Sequence, residues 1–288
     1  TNWTESVYWS SATNFVVGND SWTYTNLTDA FVSGHNYNFK TRAYDGALPN
    51  NEETTPNEYA IIYDTHPPVS SLTYPSNTNP NYGSNNALSS ISGTSDDDSS
   101  SPNKAGVNKV QIRISSGTQY WDGDSWDGTI DSWRDTDTSA TAPFVFTSTP
   151  VWGNGATYTV ETRATDNVVP AGNVEVAYST VTFKYDTTEP LSDIAEPNAQ
   201  FEKELLTISG TASDEFSQLE SVSVKISSLT SGGYVVQQNW VVAEDSATWQ
   251  YAYSSWVDGV KYKVESQAKD RSQNTQGTPD SYEFTYDI

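Results

Sequence analysis

The sequence of 288 residues predicts an all-β protein made of tandem Greek-key β-sandwiches, the first of which is incomplete. Two observations lead to this prediction. One pattern of residues recurs three times with the same internal spacing, and apolar residues alternate with polar ones along short segments, as in half-buried antiparallel strands. No segment shows a helical period, so we expect strands throughout.

The recurring pattern is Gly-x-x-Tyr, followed by an alternating strand that ends in Ala-x-Asp. It occupies residues 34–45, 155–166 and 259–270. A second strand follows each copy and closes on an aspartate; these aspartates are Asp64, Asp186 and Asp287. Three matches with one spacing indicate three copies of one structural unit. The predicted domains are residues 1–64, 65–186 and 187–288.

The second and third domains also share the string Ile-Ser-Gly-Thr, which begins at Ile91 and Ile208, and a strand that alternates Val or Ile with polar residues. The first domain has neither feature. We therefore expect it to contain only C-terminal strands and to be completed by another segment, either upstream chain or a strand donated by a neighbouring subunit. The lack of any Met, even at position 1, favours a piece of a longer protein.

The tyrosine of the Gly-x-x-Tyr pattern lies just before the predicted sixth strand of each unit. Immunoglobulin-like folds place a tyrosine corner there, with the hydroxyl bonded to backbone upstream. Tyr37, Tyr158 and Tyr262 are the candidates. The alternative is an ordinary half-buried tyrosine, and in both interpretations the role is structural.

Several of these strings together resemble the immunoglobulin-like repeats of large bacterial surface and secreted proteins. They are Ile-Ser-Gly-Thr-x-x-Asp, Val-x-Ile-x-Ile, Tyr-x-Val-x-x-x-Ala-x-Asp and the closing Tyr-Asp-Thr-x-x-Pro. The resemblance covers nearly the whole chain and implies an extracellular, multi-domain stalk or adhesin whose repeats are not themselves catalytic. The sequence departs from this pattern in an insert between Tyr120 and Ala142 of the second domain.

Composition narrows the functional classes. The chain has 14 Lys plus Arg against 37 Asp plus Glu, and its net charge of −23 disfavours nucleic acid and anionic membrane surfaces while attracting divalent cations. No Cys is present, which excludes disulfides and thiolate chemistry, and no apolar run is long enough to predict a membrane span. The two histidines, His35 and His66, have no recognisable nucleophile nearby in sequence, so we expect no enzyme.

Acidic residues gather at the predicted domain junctions. In this topology two loops of each domain lie beside the linker that enters it, so each junction combines three segments. The candidate metal ligands are Asp64, Asp96, Asp98, Asp166 and Asn173 at the first junction, with Asp97 and Asn167 beside them, and Asp186, Asp214, Glu215, Asp270 and Asn274 at the second. Calcium binds about six to eight oxygen ligands of these types. The alternative is that Asp and Asn simply favour turns.

Tryptophans in the insert offer a second candidate site. Exposed indoles form platforms for sugar rings, and Trp126 and Trp133 are the residues in question, although core packing is the alternative. The sequence therefore predicts a structural or adhesive segment of an extracellular stalk, fibre or filament, stiffened by calcium at its junctions. The alternative function is a glycan- or receptor-binding module that uses these tryptophans.

Overall fold

The computed structural model describes residues 9–11, 14–16, 21–25, 31–97, 102–130, 132–138 and 143–288. All regular secondary structure in these ranges is β-strand, which confirms the predicted all-β class. None of these residues forms a helix long and apolar enough to cross a membrane.

The chain divides into two compact units. The first extends to Val69 and also includes Asp96–Asn108 and Ala164–Val176; the second comprises Ser70–Ser95, Lys109–Arg163 and Ala177–Ile288. Two loops of the second predicted domain therefore belong to the first unit. The predicted domain boundaries stay a prediction, and we use "repeat" below for the three sequence copies.

In the first repeat the described strands form two hairpins. β1 (Asn14–Val16) pairs with β2 (Ser21–Thr23), and β3 (His35–Thr41) pairs with β4 (Asn57–Tyr63), all antiparallel. These two-stranded sheets are all the regular structure that the described part of this repeat contains.

The second repeat forms two sheets. Its strands are β5 (Val69–Tyr74), β6 (Asn81–Tyr82), β7 (Ile91–Asp96), β8 (Val107–Ser116), β9 (Gln119–Tyr120), β10 (Arg134–Asp135), β11 (Phe144–Phe146), β12 (Ala156–Asp166) and β13 (Ser179–Tyr185). One sheet has the order β11-β7-β5, and the other has the order β10-β8-β12-β13-β6, with β9 paired to β8.

The third repeat follows the same plan. Its strands are β14 (Leu191–Glu196), β15 (Phe201–Glu202), β16 (Thr207–Ser213), β17 (Leu219–Thr230), β18 (Gly233–Val242), β19 (Thr248–Ala252), β20 (Val260–Asp270) and β21 (Asp280–Tyr286). The sheets have the orders β14-β16-β19 and β15-β21-β20-β17-β18. The chain changes sheets between β16 and β17 and again on either side of β19, which is an immunoglobulin-like Greek key.

Alternation along the strands produces the core of each sandwich. In β20 every second residue from Tyr262 to Asp270 is buried. The third core joins Ile208 and Trp249 from one sheet to Val224 and Val264 from the other. The second core is built in the same way from a separate set of residues. Burial on one face is what the period of two predicts for a sheet that packs on one side only.

The glycine of the Ile-Ser-Gly-Thr string has a packing reason. A Cβ atom on Gly210 would lie 2.0 Å from the Asp193 carbonyl oxygen and 2.4 Å from the Trp249 ring. On Gly93 it would lie 2.4 Å from the Phe144 ring. Because glycine has no side chain, an aromatic ring of the neighbouring strand can lie directly against the backbone of the strand that contains the glycine.

Each tyrosine of the Gly-x-x-Tyr pattern bonds to backbone five residues upstream. Its hydroxyl accepts a hydrogen bond from the N–H of Val32 (2.8 Å), Gly153 (2.7 Å) or Val257 (2.9 Å) in the first, second and third repeat. An aromatic ring six residues before each tyrosine packs against it; these rings are Phe31, Trp152 and Trp256. In the two complete repeats, the indole N–H also donates at 2.7 Å to the backbone carbonyl of a buried leucine in the segment before β7 or β16, Leu88 or Leu205.

Replacing Tyr262 by Phe should lower the free energy of unfolding by about 0.5–1.5 kcal/mol, because the hydrogen bond from the Val257 N–H to the Tyr262 hydroxyl is lost while the ring stays in place. Chemical denaturation measures this change. Tyr59→Phe is the matched control, since Tyr59 is 72% exposed, and it should change stability by less than about 0.5 kcal/mol. Equal effects of the two substitutions would contradict the structural role of the Tyr262 hydroxyl.

Candidate functional site

Two groups of three aspartates recur at equivalent places in the chain. The first is Asp64, Asp97 and Asp166, and the second is Asp186, Asp214 and Asp270. In each group one carboxylate oxygen from every residue lies within 4.8 Å of the others. Each group lies within one compact unit, the first group in the first unit and the second in the second.

In the first group, Asp64 follows the end of β4, and its carboxylate bonds to the linker, which is the segment between β4 and β5. Its Oδ1 accepts the N–H of His66 at 3.0 Å, and its Oδ2 accepts the N–H of Ala105 at 2.9 Å. Asp64 is 6% exposed. The linker carboxylate is thus bonded both to its own turn and to the loop after β7.

Asp97 is a buried carboxylate of the first group with one oxygen that lacks a hydrogen-bond partner. It is 1% exposed; its Oδ2 accepts the N–H of Gly106 at 2.6 Å, while its Oδ1 is buried without a hydrogen-bond partner. Burial raises the pKa of Asp97, the Gly106 N–H lowers it, and the nearby charges of Asp64 and Asp166 raise it further. An unpartnered buried carboxylate oxygen is costly unless something electropositive meets it.

Asp166 ends β12 and is held by its own loop. Its Oδ1 accepts the N–H groups of Val168 (3.0 Å) and Asn173 (2.7 Å), and its Oδ2 accepts the side-chain amide of Asn173 at 2.7 Å. The same amide contacts the Asp64 carbonyl oxygen at 3.3 Å. Asn173 therefore fastens the linker to the loop that carries Asp166.

The second group repeats this arrangement. Asp186 accepts the N–H of Thr188 at 2.9 Å and the N–H of Ser217 at 3.1 Å. Asp214 Oδ2 accepts the N–H of Gln218 at 2.7 Å, and Asp214 Oδ1 is buried without a partner, like that of Asp97. Gln218 has a φ of 73°, close to the 80° of Gly106, so the loop takes the same left-handed turn in both repeats.

Asp270 and Asn274 complete the second group. Asp270 is fully buried; its Oδ1 accepts the N–H of Asn274 and its Oδ2 accepts the Asn274 amide, both at 2.8 Å. The amide also donates to the Asp186 carbonyl oxygen at 2.9 Å. Burial raises the pKa of Asp270, the hydrogen bonds from Asn274 and Ser217 lower it, and the charge of Asp214 raises it.

Some predicted ligands do not join the groups. Asp96 bonds to Lys104 Nζ at 2.5 Å with a side chain that is 61% exposed, and Glu215 is exposed. Asp96 directly precedes Asp97, and Glu215 directly follows Asp214. Successive side chains along an extended chain face different ways, so the neighbour of each inward-pointing aspartate points elsewhere. Asp98 lies outside the described residues. Asn173 and Asn274 lie in their groups, where their amide nitrogens serve as donors.

The first repeat carries the same acidic loop in a form that the sequence reasoning did not single out. Asp45 Oδ1 accepts the N–H of Asn51 at 2.9 Å, and its Oδ2 accepts the Asn51 amide at 2.6 Å. These bonds lower the pKa of Asp45, led by the side-chain amide. The signal in the sequence was Ala-x-Asp at the end of the repeated strand, with an Asn a few residues later.

A serine and a histidine also meet near Asp64. Ser33 Oγ lies 3.2 Å from His66 Nδ1 and 3.4 Å from Asp64 Oδ1, and it accepts the N–H of Thr65 at 3.0 Å. In a catalytic triad the carboxylate orients the imidazole, whereas here it contacts the hydroxyl. Through these contacts Ser33 and Asp64 fasten the linker.

The two insert tryptophans pack against other side chains of the second repeat. Trp126 lies against the core, 5.4 Å from the Tyr158 ring. The guanidinium groups of Arg113 and Arg163 lie over the Trp133 ring, 4.5 Å and 4.2 Å from its centroid. These contacts use the ring surface that a sugar would need, so glycan binding stays a prediction without a supporting contact.

The three carboxylates of each aspartate group repel one another. Within the described ranges no Lys or Arg forms an ion pair with any of the six carboxylates. Two charges about 5 Å apart repel by about 3 kcal/mol at an effective dielectric constant of about 20. A divalent cation would offset this repulsion and also supply the missing partner of Asp97 Oδ1 and Asp214 Oδ1.

Comparisons with known proteins give only weak likenesses. No protein-family model matches the chain, and no curated protein matches it. Among solved structures, the chicken CNTN1 FN1–FN3 domains are 13% identical over 89% of this chain and 77% of that one, with a TM-score of 0.39.

Two adhesin structures are also similar. A tetra-tandem repeat from the extending region of a large adhesion protein is 19% identical over 86% of this chain and 57% of that one, with a TM-score of 0.30. A structure of a 1.5-MDa bacterial ice-binding adhesin is 13% identical over 89% and 76%, with a TM-score of 0.35. These scores are low, so the architecture rests on the strand pairing of this chain.

Replacing Asn274 by Ala should lower the free energy of unfolding by about 2–4 kcal/mol, because a buried amide that bonds to both Asp270 and the Asp186 carbonyl is lost. Thermal and urea unfolding measure the effect. Asn239→Ala, at an exposed position of β18, is the control and should be nearly neutral. A neutral Asn274→Ala would show that the amide does not hold the linker.

Proposed function

We propose that this chain is a structural segment of an extracellular adhesive protein, and that calcium bound at its two aspartate groups stiffens it. The observation that carries the proposal is the recurrence of three converging aspartates, one of them with a buried and unpartnered oxygen, at both linkers. The acidic composition, the tandem sandwiches and the resemblance to bacterial surface repeats support the extracellular setting.

The donor set favours calcium over other metals. Both groups offer only oxygen atoms, and neither includes His or Cys, which zinc and copper prefer. Calcium tolerates irregular geometry and takes additional carbonyl or water ligands, whereas magnesium demands a near-ideal octahedron. Three carboxylates drawn from three separate segments fit the less demanding ion.

The placement of the groups explains how an ion would stiffen the chain. Each linker aspartate directly follows the last strand of one repeat. The other two aspartates come from the next repeat, one from a loop and one from the end of β12 or β20. An ion held by all three would tie the linker to both loops at once. Without it, mutual repulsion of the carboxylates would loosen the same contacts. Stiffness that depends on a cation suits a spacer exposed to extracellular calcium.

Calcium should raise the melting temperature by roughly 5–15 °C relative to chelator, because an ion bound only by the folded state stabilises it by mass action. Asp214→Asn should remove much of this increment and should stabilise the chelated protein, since it deletes one of three repelling charges. Differential scanning calorimetry with calcium and with chelator measures both effects.

Glu215→Gln is the matched control for Asp214→Asn, because Glu215 is the next residue, is exposed and carries the same charge. It should leave the calcium increment unchanged. Hydrogen exchange gives a local test: calcium should slow exchange of the Thr188 and Ser217 amides, which bond to Asp186. No calcium effect on melting or on these amides at millimolar calcium would refute the proposal.

In chelator, the stability that Asp270 contributes should fall as pH rises from about 4 to about 7, measured as the difference between the unmodified chain and Asp270→Asn. The pKa of Asp270 is raised above its ordinary 3.8, so the folded state binds the proton more tightly than the unfolded state does. That stabilisation is present below the ordinary pKa and is lost as pH rises through the raised one.

Saturating calcium should reverse this dependence, because the ion binds the ionised carboxylates and protons compete with it. Urea unfolding across the same pH range, with calcium and with chelator, measures the two profiles. Parallel profiles in the two conditions would contradict an ion site at Asp270.

A further inference from the structure

The residue before the glycine of the Gly-x-x-Tyr pattern makes the same contact in every repeat. Its side-chain oxygen accepts the backbone N–H of the residue that follows the closing aspartate. The three pairs are Ser33 with Thr65 (3.0 Å), Asn154 with Thr187 (2.7 Å) and Asp258 with Ile288 (2.9 Å). A hydroxyl, an amide and a carboxylate thus do the same work at equivalent positions. Of the three, the amide alone can lose ammonia.

That amide belongs to Asn154–Gly155, the one Asn-Gly pair in the sequence. In such a pair the backbone nitrogen of the glycine attacks the side-chain carbonyl carbon of the asparagine, because the glycine has no side chain to shield its nitrogen. The surroundings of Gly155 are open as well: a Cβ atom built on it would have no atom of the described residues within 4 Å. Both residues are exposed to water.

The second linker, which is the segment between β13 and β14, restrains both reacting groups. The Gly155 N–H donates to the Tyr185 carbonyl oxygen at 2.9 Å. Asn154 Oδ1 accepts the Thr187 N–H, and Asn154 Nδ2 donates to the Thr188 hydroxyl at 2.8 Å. The nitrogen and the side-chain carbon must leave these partners before they can react. The reaction therefore requires local opening of the linker.

We propose that Asn154 is a deamidation site and that opening of the second linker limits its rate. The Gly155 nitrogen loses its proton and forms a bond to Asn154 Cγ, and Nδ2 leaves with that proton as ammonia, which produces a cyclic imide. Water then opens the imide at one of its two carbonyl carbons and leaves aspartate or isoaspartate. One water is consumed and one ammonia is released, so the reaction needs no oxidant, reductant or cofactor.

The two products affect the linker differently. When Asn154 becomes aspartate, it keeps an acceptor for the Thr187 N–H, as Asp258 does for its own partner. Isoaspartate places an additional methylene group in the backbone directly after Gly153, whose N–H bonds to the corner tyrosine. The corner and the linker contact then no longer keep their spacing. Both products also add a negative charge to a linker that already holds Asp186. Deamidation should therefore loosen the second linker.

Prolonged incubation in chelator at mildly alkaline pH tests the site. The intact chain and a blocked peptide of residues 151–158 are kept until asparagines of the chain have reacted, and peptide mass mapping locates the conversions. Asn154 should be converted in the intact chain about ten- to a hundredfold more slowly than in the peptide, because three hydrogen bonds must open first.

Two neighbouring threonines provide a matched pair of variants. Thr188→Val removes the hydroxyl that holds the Asn154 amide and should speed deamidation about two- to tenfold. Thr187→Val is the control, because Thr187 is also exposed and bonds to Asn154 through its backbone N–H, which the variant retains. It should leave the rate unchanged.

The effect on the linker is measured on the separated products. The isoaspartyl chain should melt at a lower temperature than the Asn154→Asp variant, which has the charge of the product without the additional backbone atom. Equal melting temperatures of the isoaspartyl and unmodified chains would contradict the loosening of the linker.

Three outcomes would overturn the deamidation site or its control by the linker. The first is an unmodified Asn154 in the intact chain when other asparagines have already reacted. The second is conversion of Asn154 in the intact chain as fast as in the peptide, and the third is equal rates in Thr188→Val and Thr187→Val. Every incubation contains chelator, so these outcomes do not depend on calcium at the aspartate groups.

Discussion

Three aspartates, each with a carboxylate oxygen within 4.8 Å of the others, are the constraint on which each linker depends. Like charges so close together separate unless donors or a cation hold them. The protein supplies the donors locally: the amides of Ala105 and Ser217 bond to the linker aspartates, and Asn173 and Asn274 bond to the loop aspartates. The loops after β7 and β12, and those after β16 and β20, take their shape from this requirement.

The sandwich can bring these aspartates together because rigid, packed strands lead directly into the loops at the linker. The tyrosine corner fixes the start of β12 and β20, and the strict alternation of these strands then determines where Asp166 and Asp270 emerge at their ends. An aromatic ring packed on each corner tyrosine completes the support. Precision in a polar site of this kind comes from buried packing several residues away.

The outer faces of the sheets also follow one plan with local changes. A cation lies over a tryptophan in every repeat: Arg42 over Trp9 at 4.0 Å, Arg113 over Trp133 at 4.5 Å and Lys225 over Trp240 at 5.0 Å. This recurrence assigns three of the ten tryptophans to reinforcement of the sheet surfaces, whereas others pack in or against the cores. Lys40 occupies the position that Glu161 and Glu265 have in the other two repeats, so the first repeat carries a positive charge where the others carry a negative one.

The sequence by itself determined the all-β class, the repeat, the corner tyrosines and the linker aspartates, because strand alternation and repeat spacing are local properties of the chain. Only the tertiary structure decided that Asp97 rather than Asp96 turns inward, that Asn173 and Asn274 serve as donors, and that Trp133 lies beneath two arginines. Nor did sequence reveal the contact between Ser33 and His66. Side-chain direction at the end of a strand depends on how its loop meets other loops, and sequence spacing does not encode that meeting.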